Sequence, residues 1–282
     1  MQNNKVYLVT GANAGIGYAT ALGLANLGAT VLMVARSRER GEAAQAEIRE
    51  ASGNPEVALF VADLASQGAI RQLAADVKAR YPALHGLINN AAVIPAERSL
   101  SEDGFELQFA VNHLAYFSLT LLLLDLLKAS APARIVNVAS DVHHNAALNL
   151  DDLQSERGYD SQNVYNQTKL ANVLFTYELA RRLEGTGVTV NCLHPGGVAT
   201  KLLAAYRRIP GDRPTGGIST EEGADTVLYL AASPEVEGVT GRYFRQREAV
   251  QSSPASHDAA LARRLWETSL ALAGLDAEKL AV

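Results

Sequence analysis

The chain has 282 residues, 48% hydrophobic and 20% charged, with a formal net charge of -5. That profile fits one large or two small folded α/β domains, and it excludes nucleic acid as a partner, because phosphate binding needs a basic face. Cys192 is the only cysteine, which rules out an internal disulfide and a cysteine-built metal centre.

Met1–Lys5 is polar and runs straight into an apolar stretch from Val6, so no secretory leader is expected and a cytoplasmic location is. Val6–Thr10 opens a series of short, almost continuously apolar runs, as in strands covered by helices on both faces. It leads into Thr10-Gly11-Ala12-Asn13-Ala14-Gly15-Ile16-Gly17, and helical spacing follows over Ile16–Leu27. A turn that leaves a strand and opens a helix aims free N–H groups and a positive dipole end at whatever sits above it. Glycines there let a pyrophosphate approach the backbone. The spacing is Gly-xxx-Gly-x-Gly, unlike the Gly-x-Gly-xx-Gly of the standard dinucleotide fingerprint, and an ordinary strand–helix turn is the alternative.

The second strand, Val31–Ala35, ends in Arg36-Ser37-Arg38-Glu39-Arg40. An acidic residue there would bond ribose hydroxyls and repel a 2′-phosphate. Arg36 instead offers a guanidinium suited to phosphate, and Ser37 and Arg40 add donors, whereas Arg38 reads as the solvated start of helix Arg38–Ala51. Strand Val57–Ala62 follows with Asp63-Leu64 behind it, then helix Ala69–Tyr81 and strand Leu87–Asn89, which runs into Asn90-Ala91-Ala92. Helix Phe105–Lys128 contains Leu119–Leu127, which Asp125 interrupts and which is too short to cross a bilayer; it reads as a buried helix. Strand Ile135–Ala139 is closed by Ser140, and helix Val164–Leu183 and strand Val188–Leu193 come next. In Ala199–Ser219, the residues Arg207, Arg208, Gly211, Pro214 and Gly216 predict a mobile flap. Helix Glu222–Ala231, a short seventh strand at Gly241–Phe244 and an outer helix, Ala259–Leu272, complete the chain. The alternation predicts one Rossmann-type domain over 1–282: a doubly wound parallel sheet of about seven strands with helices on both faces.

Tyr165 and Lys169 are four apart on one predicted helix and therefore share a face. A lysine ammonium one turn away would stabilise a phenolate, whose ordinary pKa near 10 makes an isolated tyrosine a poor proton shuttle. Taken singly, Ser140 reads as a strand end and Asn112 as a helix-interior amide. Adjacent His143 and His144 project apart with no third ligand in view, so no metal is expected; they read as a substrate-loop or surface pair. His194, beside Pro195, reads as a packing residue.

Taken together and in order, Thr10–Gly17, Asn89-Asn90-Ala91, Asn112, Ser140, Tyr165-xxx-Lys169 and Pro195-Gly196 resemble the short-chain dehydrogenase/reductase family over nearly the whole chain. The likeness is greatest to its retinol dehydrogenase group. It rests on Asn112-His113-Leu114-Ala115-Tyr116-Phe117, on Ser140 through His143-His144, on Lys169-Leu170-Ala171-Asn172, on Ala262-Arg263-Arg264-Leu265-Trp266, and on the 25-residue step from Ser140 to Tyr165. One departure is Ala92, where the family has glycine.

The resemblance implies hydride transfer between a nicotinamide cofactor and a lipophilic alcohol, aldehyde or ketone, with NADP (as NADPH) favoured over NAD. It makes Tyr165 the general acid/base and Lys169 its electrostatic partner and a ligand of the nicotinamide ribose. Ser140 would hold the substrate oxygen, and Asn112 a water linking Lys169 to solvent. Gly11, Asn13, Gly15, Ile16 and Gly17 would cradle the phosphates. Asp63 and Leu64 would meet the adenine and Asn90 its ribose, while Pro195, Gly196, Val198 and Thr200 would line the nicotinamide. Many animal members of the group are membrane-anchored; no such anchor is expected here. A homodimer through helices Phe105–Lys128 and Val164–Leu183 is compatible with the resemblance. Two rival readings are a cofactor-binding regulator without turnover and a nucleotide-sugar epimerase or dehydratase. The rivals are disfavoured by the retained Tyr165 and Lys169, by the glycine spacing, and by the little chain left after Leu193 for a substrate domain.

Overall fold

Period-two alternation along the strands decides which layer each side chain joins. In the computed structural model, which describes residues 2–209 and 216–276, Val6 and Leu8 face one core while Tyr7 and Val9 face the other. The strands are β1 (Val6–Thr10), β2 (Thr30–Ala35), β3 (Val57–Val61), β4 (Gly86–Asn89), β5 (Ala133–Val138), β6 (Val188–His194), β7 (Tyr243–Arg245) and β8 (Glu248–Val250). They form one sheet in the order β3-β2-β1-β4-β5-β6-β7-β8, parallel throughout except that β8 runs antiparallel to β7.

The helices are α1 (Gly15–Asn26), α2 (Arg38–Ser52), α3 (Gln67–Arg80), α4 (Leu107–Phe109), α5 (Ala115–Leu122), α6 (Leu124–Ala129), α7 (Ser161–Arg182), α8 (Lys201–Tyr206), α9 (Thr220–Ala232) and α10 (Ala259–Ala273). Leu24 of α1, Ile48 of α2 and Leu230 of α9 pack on Val9, Met33 and Val136 of the sheet. Ile70 of α3, Phe117 of α5, Phe175 of α7 and Trp266 of α10 pack on the other face with Leu8, Val34 and Ile135. Among the described residues no helix is long and apolar enough to cross a membrane.

Three predicted elements differ. β8 is an additional strand, and the turn before it holds Gln246 at φ 51° and Arg247 at φ 65°. A two-residue turn of that kind is normally signalled by Asn-Gly, which this chain lacks there. The single helix predicted over Phe105–Lys128 is interrupted by a π-helical turn at Ala110–Leu114 and broken again at Leu123. Within the predicted flap Ala199–Ser219, the six residues of α8 are helical, while Gly211 and Pro214 lie outside the described residues.

α10 covers the face that the resemblance offered to a second copy. Trp266 is buried edge-on to Phe117 (ring centroids 5.0 Å) and stacked on Phe175 (6.0 Å), with the Arg182 guanidinium 4.2 Å over the indole. Ser269 Oγ meets Nε2 of fully buried His113 at 3.0 Å, and the other ring nitrogen meets Asn172 Oδ1. The chain's own helix therefore buries part of both predicted helices. Trp266→Ala should cost about 3–5 kcal/mol, the usual penalty for emptying a buried tryptophan site. The loss would register as a lower urea midpoint at unchanged m-value.

Candidate active site

A doubly wound sheet opens a crevice where neighbouring strands send their connections to opposite faces, here between β1 and β4. Thr10 ends β1, and its hydroxyl accepts the N–H groups of Asn90 and Ala91, while Asn90 Nδ2 donates to the Thr10 carbonyl. These bonds join the two strand ends across the crevice. The cavity above them, about 750 Å³, is lined by Gly11, Asn13, Gly15, Ile16, Arg36, Arg40, Asp63, Leu64, Asn90, Ser140, Tyr165, Lys169, Pro195, Gly196, Val198 and Thr200. A larger cavity of about 1120 Å³, lined by Lys5, His85 and Arg134 among others, lies at the amino-terminal edge of the sheet and holds none of the predicted site residues.

The glycine turn is built for close approach. Gly11 (φ +66°) and Gly15 (φ +57°) occupy left-handed backbone, and a Cβ on Gly17 would lie 2.3 Å from the Gly11 carbonyl oxygen. Gly17 is thus a packing residue beneath the cavity floor. α1 starts without a side-chain cap and without an acid in its first turn, and its Gly15 and Ile16 border the cavity. The electropositive end of a full helix therefore faces the crevice.

Arg36 and Arg40 are exposed at one rim of the cavity. Ser37 is placed differently from the prediction: it is not among the residues lining the cavity, and its hydroxyl caps α2 by accepting the Arg40 N–H at 3.3 Å. Asp63 reaches the cavity while its carboxylate accepts the Ala65 N–H. Asn90 Nδ2 is committed to Thr10, so the amide acts first as a strut.

At the other end, Tyr165 and Lys169 stand side by side on α7, where Asp160 caps the helix by accepting the Asn163 N–H. Lys169 is 1% exposed; its Nζ donates to the Val138 carbonyl at 2.9 Å and lies 5.3 Å from the Tyr165 ring and 5.7 Å from the Tyr116 ring. Burial pulls the Lys169 ammonium down to about 7. Burial likewise pushes the Tyr165 phenol well above its ordinary value, reinforced by the Tyr206 phenol, whose ring lies tilted 5.5 Å away. Desolvation is the largest influence on the phenol here, and one ammonium hydrogen of Lys169 is directed at Val138.

Ser140 caps the turn after β5, accepting the Val142 N–H at a long 3.4 Å. Asn112 sits in the π-helical turn behind the cavity lining. Its side chain accepts the Val93 N–H (2.8 Å) and donates to the Val93 carbonyl and to Thr168, and its own carbonyl accepts from Asn172. The amide thus ties down the segment after β4, and a relay water would have to share the main-chain carbonyl. The sequence reading missed other wall residues: Val93, Val111, Val142, His194, Leu202, Leu203 and Tyr206. His194 was detectable from its place beside Pro195; α8 carried no periodic signal.

The chain matches the short chain dehydrogenase family over residues 5–209. It is 44% identical to human (Homo sapiens) retinol dehydrogenase 14 over 98% of this chain and 88% of the relative. To human (Homo sapiens) retinol dehydrogenase 13 it is 44% identical over 97% of this chain and 86% of the relative. Among solved structures, a protein of Mycobacterium paratuberculosis superposes with a TM-score of 0.80 at 31% identity, covering 97% of this chain and 95% of the other. A short chain dehydrogenase of Shigella flexneri complexed with NADP superposes with a TM-score of 0.68 at 26% identity, covering 87% and 98%.

Because the folded Lys169 pKa lies below that of the unfolded chain, the unfolded state binds the extra proton between about 7 and the ordinary lysine value of 10.5. Lys169 therefore destabilises the fold most below pH 7, and this burden is relieved as pH rises. Between pH 7 and 9 the urea midpoint of the wild type should rise relative to that of Lys169→Met; parallel midpoints would exclude a depressed lysine.

Proposed function

This chain belongs to the short-chain dehydrogenase family, and on that premise we propose that it is an NADP-dependent oxidoreductase acting on lipophilic alcohols, aldehydes or ketones. The observation that carries this reading is the pairing of Tyr165 and Lys169 in the wall of the same cavity onto which the glycine turn opens.

The residues fit a dinucleotide. Left-handed glycines and the uncapped α1 suit a pyrophosphate, and the exposed Arg36 and Arg40 suit a 2′-phosphate. Asp63 and Leu64 would hold the adenine, Asn90 its ribose, and Pro195, Gly196, Val198 and Thr200 the nicotinamide. When bound, NADPH supplies the hydride.

The chain's own groups supply the rest. Ser140 would donate a hydrogen bond to the substrate oxygen and hold it near the phenol. Tyr165, kept protonated by burial, is in the form that carbonyl reduction needs and would deliver its proton to that oxygen. Lys169, oriented by Val138, would support the phenolate left behind and bind the nicotinamide ribose. Replenishing the proton would run past Lys169 toward Asn112, by way of a water that the Asn112 carbonyl would hold. Val93, Val142, Leu202, Leu203 and Tyr206 give the substrate end an apolar wall, which suits a lipophilic carbonyl and agrees with the retinol dehydrogenases among the relatives.

Assay of aldehydes, ketones and alcohols against NADPH and NADH, followed by nicotinamide absorbance, tests the activity. Tyr165→Phe should abolish turnover while leaving cofactor binding intact; no turnover by the wild type on any substrate would favour a cofactor-binding regulator. Arg36→Asp should weaken NADPH about ten- to a hundredfold more than NADH in fluorescence titration, the scale of one lost charge-assisted contact. Equal losses would mean that Arg36 does not meet the phosphate.

A further inference from the structure

The peptide unit that follows Ser140 is held from both ends by histidines. Its carbonyl, that of Ser140, lies 2.6 Å from His143 Nδ1, so that nitrogen carries the hydrogen. The other nitrogen of the same ring, Nε2, accepts the Ser253 N–H at 3.0 Å. The amide of the same unit, that of Asp141, donates to His194 Nδ1 at 3.2 Å, which places the His194 hydrogen on Nε2. That Nε2 faces Asp141 Oδ2 at 3.5 Å, and the Asp141 carboxylate also accepts Tyr243 Oη–H at 2.8 Å and an Arg245 N–H at 3.3 Å.

Resting on the reading of Ser140 as the hydroxyl that holds the substrate oxygen, we propose that His143 and His194 are positioning residues: two imidazoles of opposite tautomer clamp the Ser140–Asp141 peptide and thereby aim the Ser140 side chain into the cavity. Among the described residues the hydroxyl has only the long contact from Val142 to direct it, so the orientation of the backbone sets its direction. The clamp draws on the turn after β5, the end of β6, β7 and the Ser253 segment, four pieces of chain that meet beside Ser140. His194 itself borders the cavity and precedes Pro195.

The clamp needs both rings neutral. A second proton on His194 would point N–H at the Asp141 N–H, and one on His143 would point N–H at the Ser253 N–H. Burial holds His143 at about 4, against its bond to Ser140, with Asp141 and the His144 and His194 imidazoles as its titratable neighbours and the Tyr243 ring 4.7 Å away. Burial also lowers His194, Asp141 opposes this, and Arg245 adds to it. A second proton on either ring therefore opens the clamp.

The experiment compares wild type, His194→Ala and His194→Asn, each saturated with NADPH, and measures kcat from pH 5 to 9 together with cofactor affinity. An asparagine Oδ1 stands where the imidazole Nδ1 does and does not titrate. His194→Ala should lose kcat by roughly ten- to a hundredfold, the usual scale of sub-ångström misplacement, with cofactor affinity held to about twofold. His194→Asn should recover most of that loss and flatten the acid limb of the pH profile. A His194→Ala enzyme with wild-type kcat, or one whose cofactor affinity falls as far as its kcat, would overturn the proposal. Nitrogen-15 NMR of the imidazoles gives a readout independent of turnover: His194 should carry its hydrogen on Nε2 and His143 on Nδ1, and the reverse tautomer at either ring refutes the clamp. If the wild type reduces nothing, the proposed function falls while the tautomers still judge the clamp.

Discussion

Everything at this site hangs on one fully buried amino group. Removing a lysine ammonium from water is expensive unless neighbouring dipoles and rings take over from the solvent. Here the replacement is a single carbonyl, that of Val138 at the end of β5, with the Tyr165 and Tyr116 rings flanking the nitrogen. The geometry holds only if α7 and β5 keep their relative height. A buried polar ladder enforces that: Asn89 on β4 donates to Thr120 on α5 and to Asn137 on β5, and Asn137 donates to Thr176 on α7. Asn172 on α7 in turn donates to the Asn112 carbonyl. Such networks tie their members to one relative position, although Asn89 Oδ1 is left without a partner among the described residues.

The two ends of the cavity are chemically unlike, and topology is the reason. Strands β1 and β2 contribute their carboxyl ends with glycines, a helix terminus and arginines, a surface fitted to phosphate. Strands β5 and β6 contribute Ser140, His194 and Pro195 beneath α7, a surface fitted to an oxygen atom and an apolar chain. Because the strand order reverses between β1 and β4, a bound molecule can span both without passing through the sheet.

How legible this was in the sequence varies by residue. Tyr165 and Lys169 were readable because four-residue spacing on a helix has one geometric meaning, and the structure sets them side by side. The sheet was readable because strands buried on both faces are almost continuously apolar. β8 was not, since three largely exposed residues after a Gln246-Arg247 turn carry no strand or hairpin signal. The π-helical turn was equally invisible: one inserted residue leaves the helical pattern nearly intact while redirecting Asn112 toward Val93. Ser37 caps the helix it opens, a role that its type as a donor does not announce. The role of α10 also escaped, since its amphipathic pattern says that a face is buried but not that the surface beneath it is Phe117 and Phe175.

The remaining wall is the segment after Thr200, and its attachment differs in kind from the rest. α8 is too short to be stable alone, and the contacts described here tie it largely to the first turns of α7. The Tyr206 hydroxyl donates to Asn166, Gln162 donates to the Tyr206 carbonyl, and Arg208 pairs with Asp160, the residue that caps α7. The Arg208–Asp160 pair is more than half exposed on both sides and therefore contributes little to holding α8 in place. The wall is held by the two hydrogen bonds at Tyr206, by the tilted contact of its ring with Tyr165 and by burial of Ala204. The apolar side of the cavity is thus anchored to the same helix that carries the phenol, so the shape of that side and the height of the Tyr165 hydroxyl follow one element.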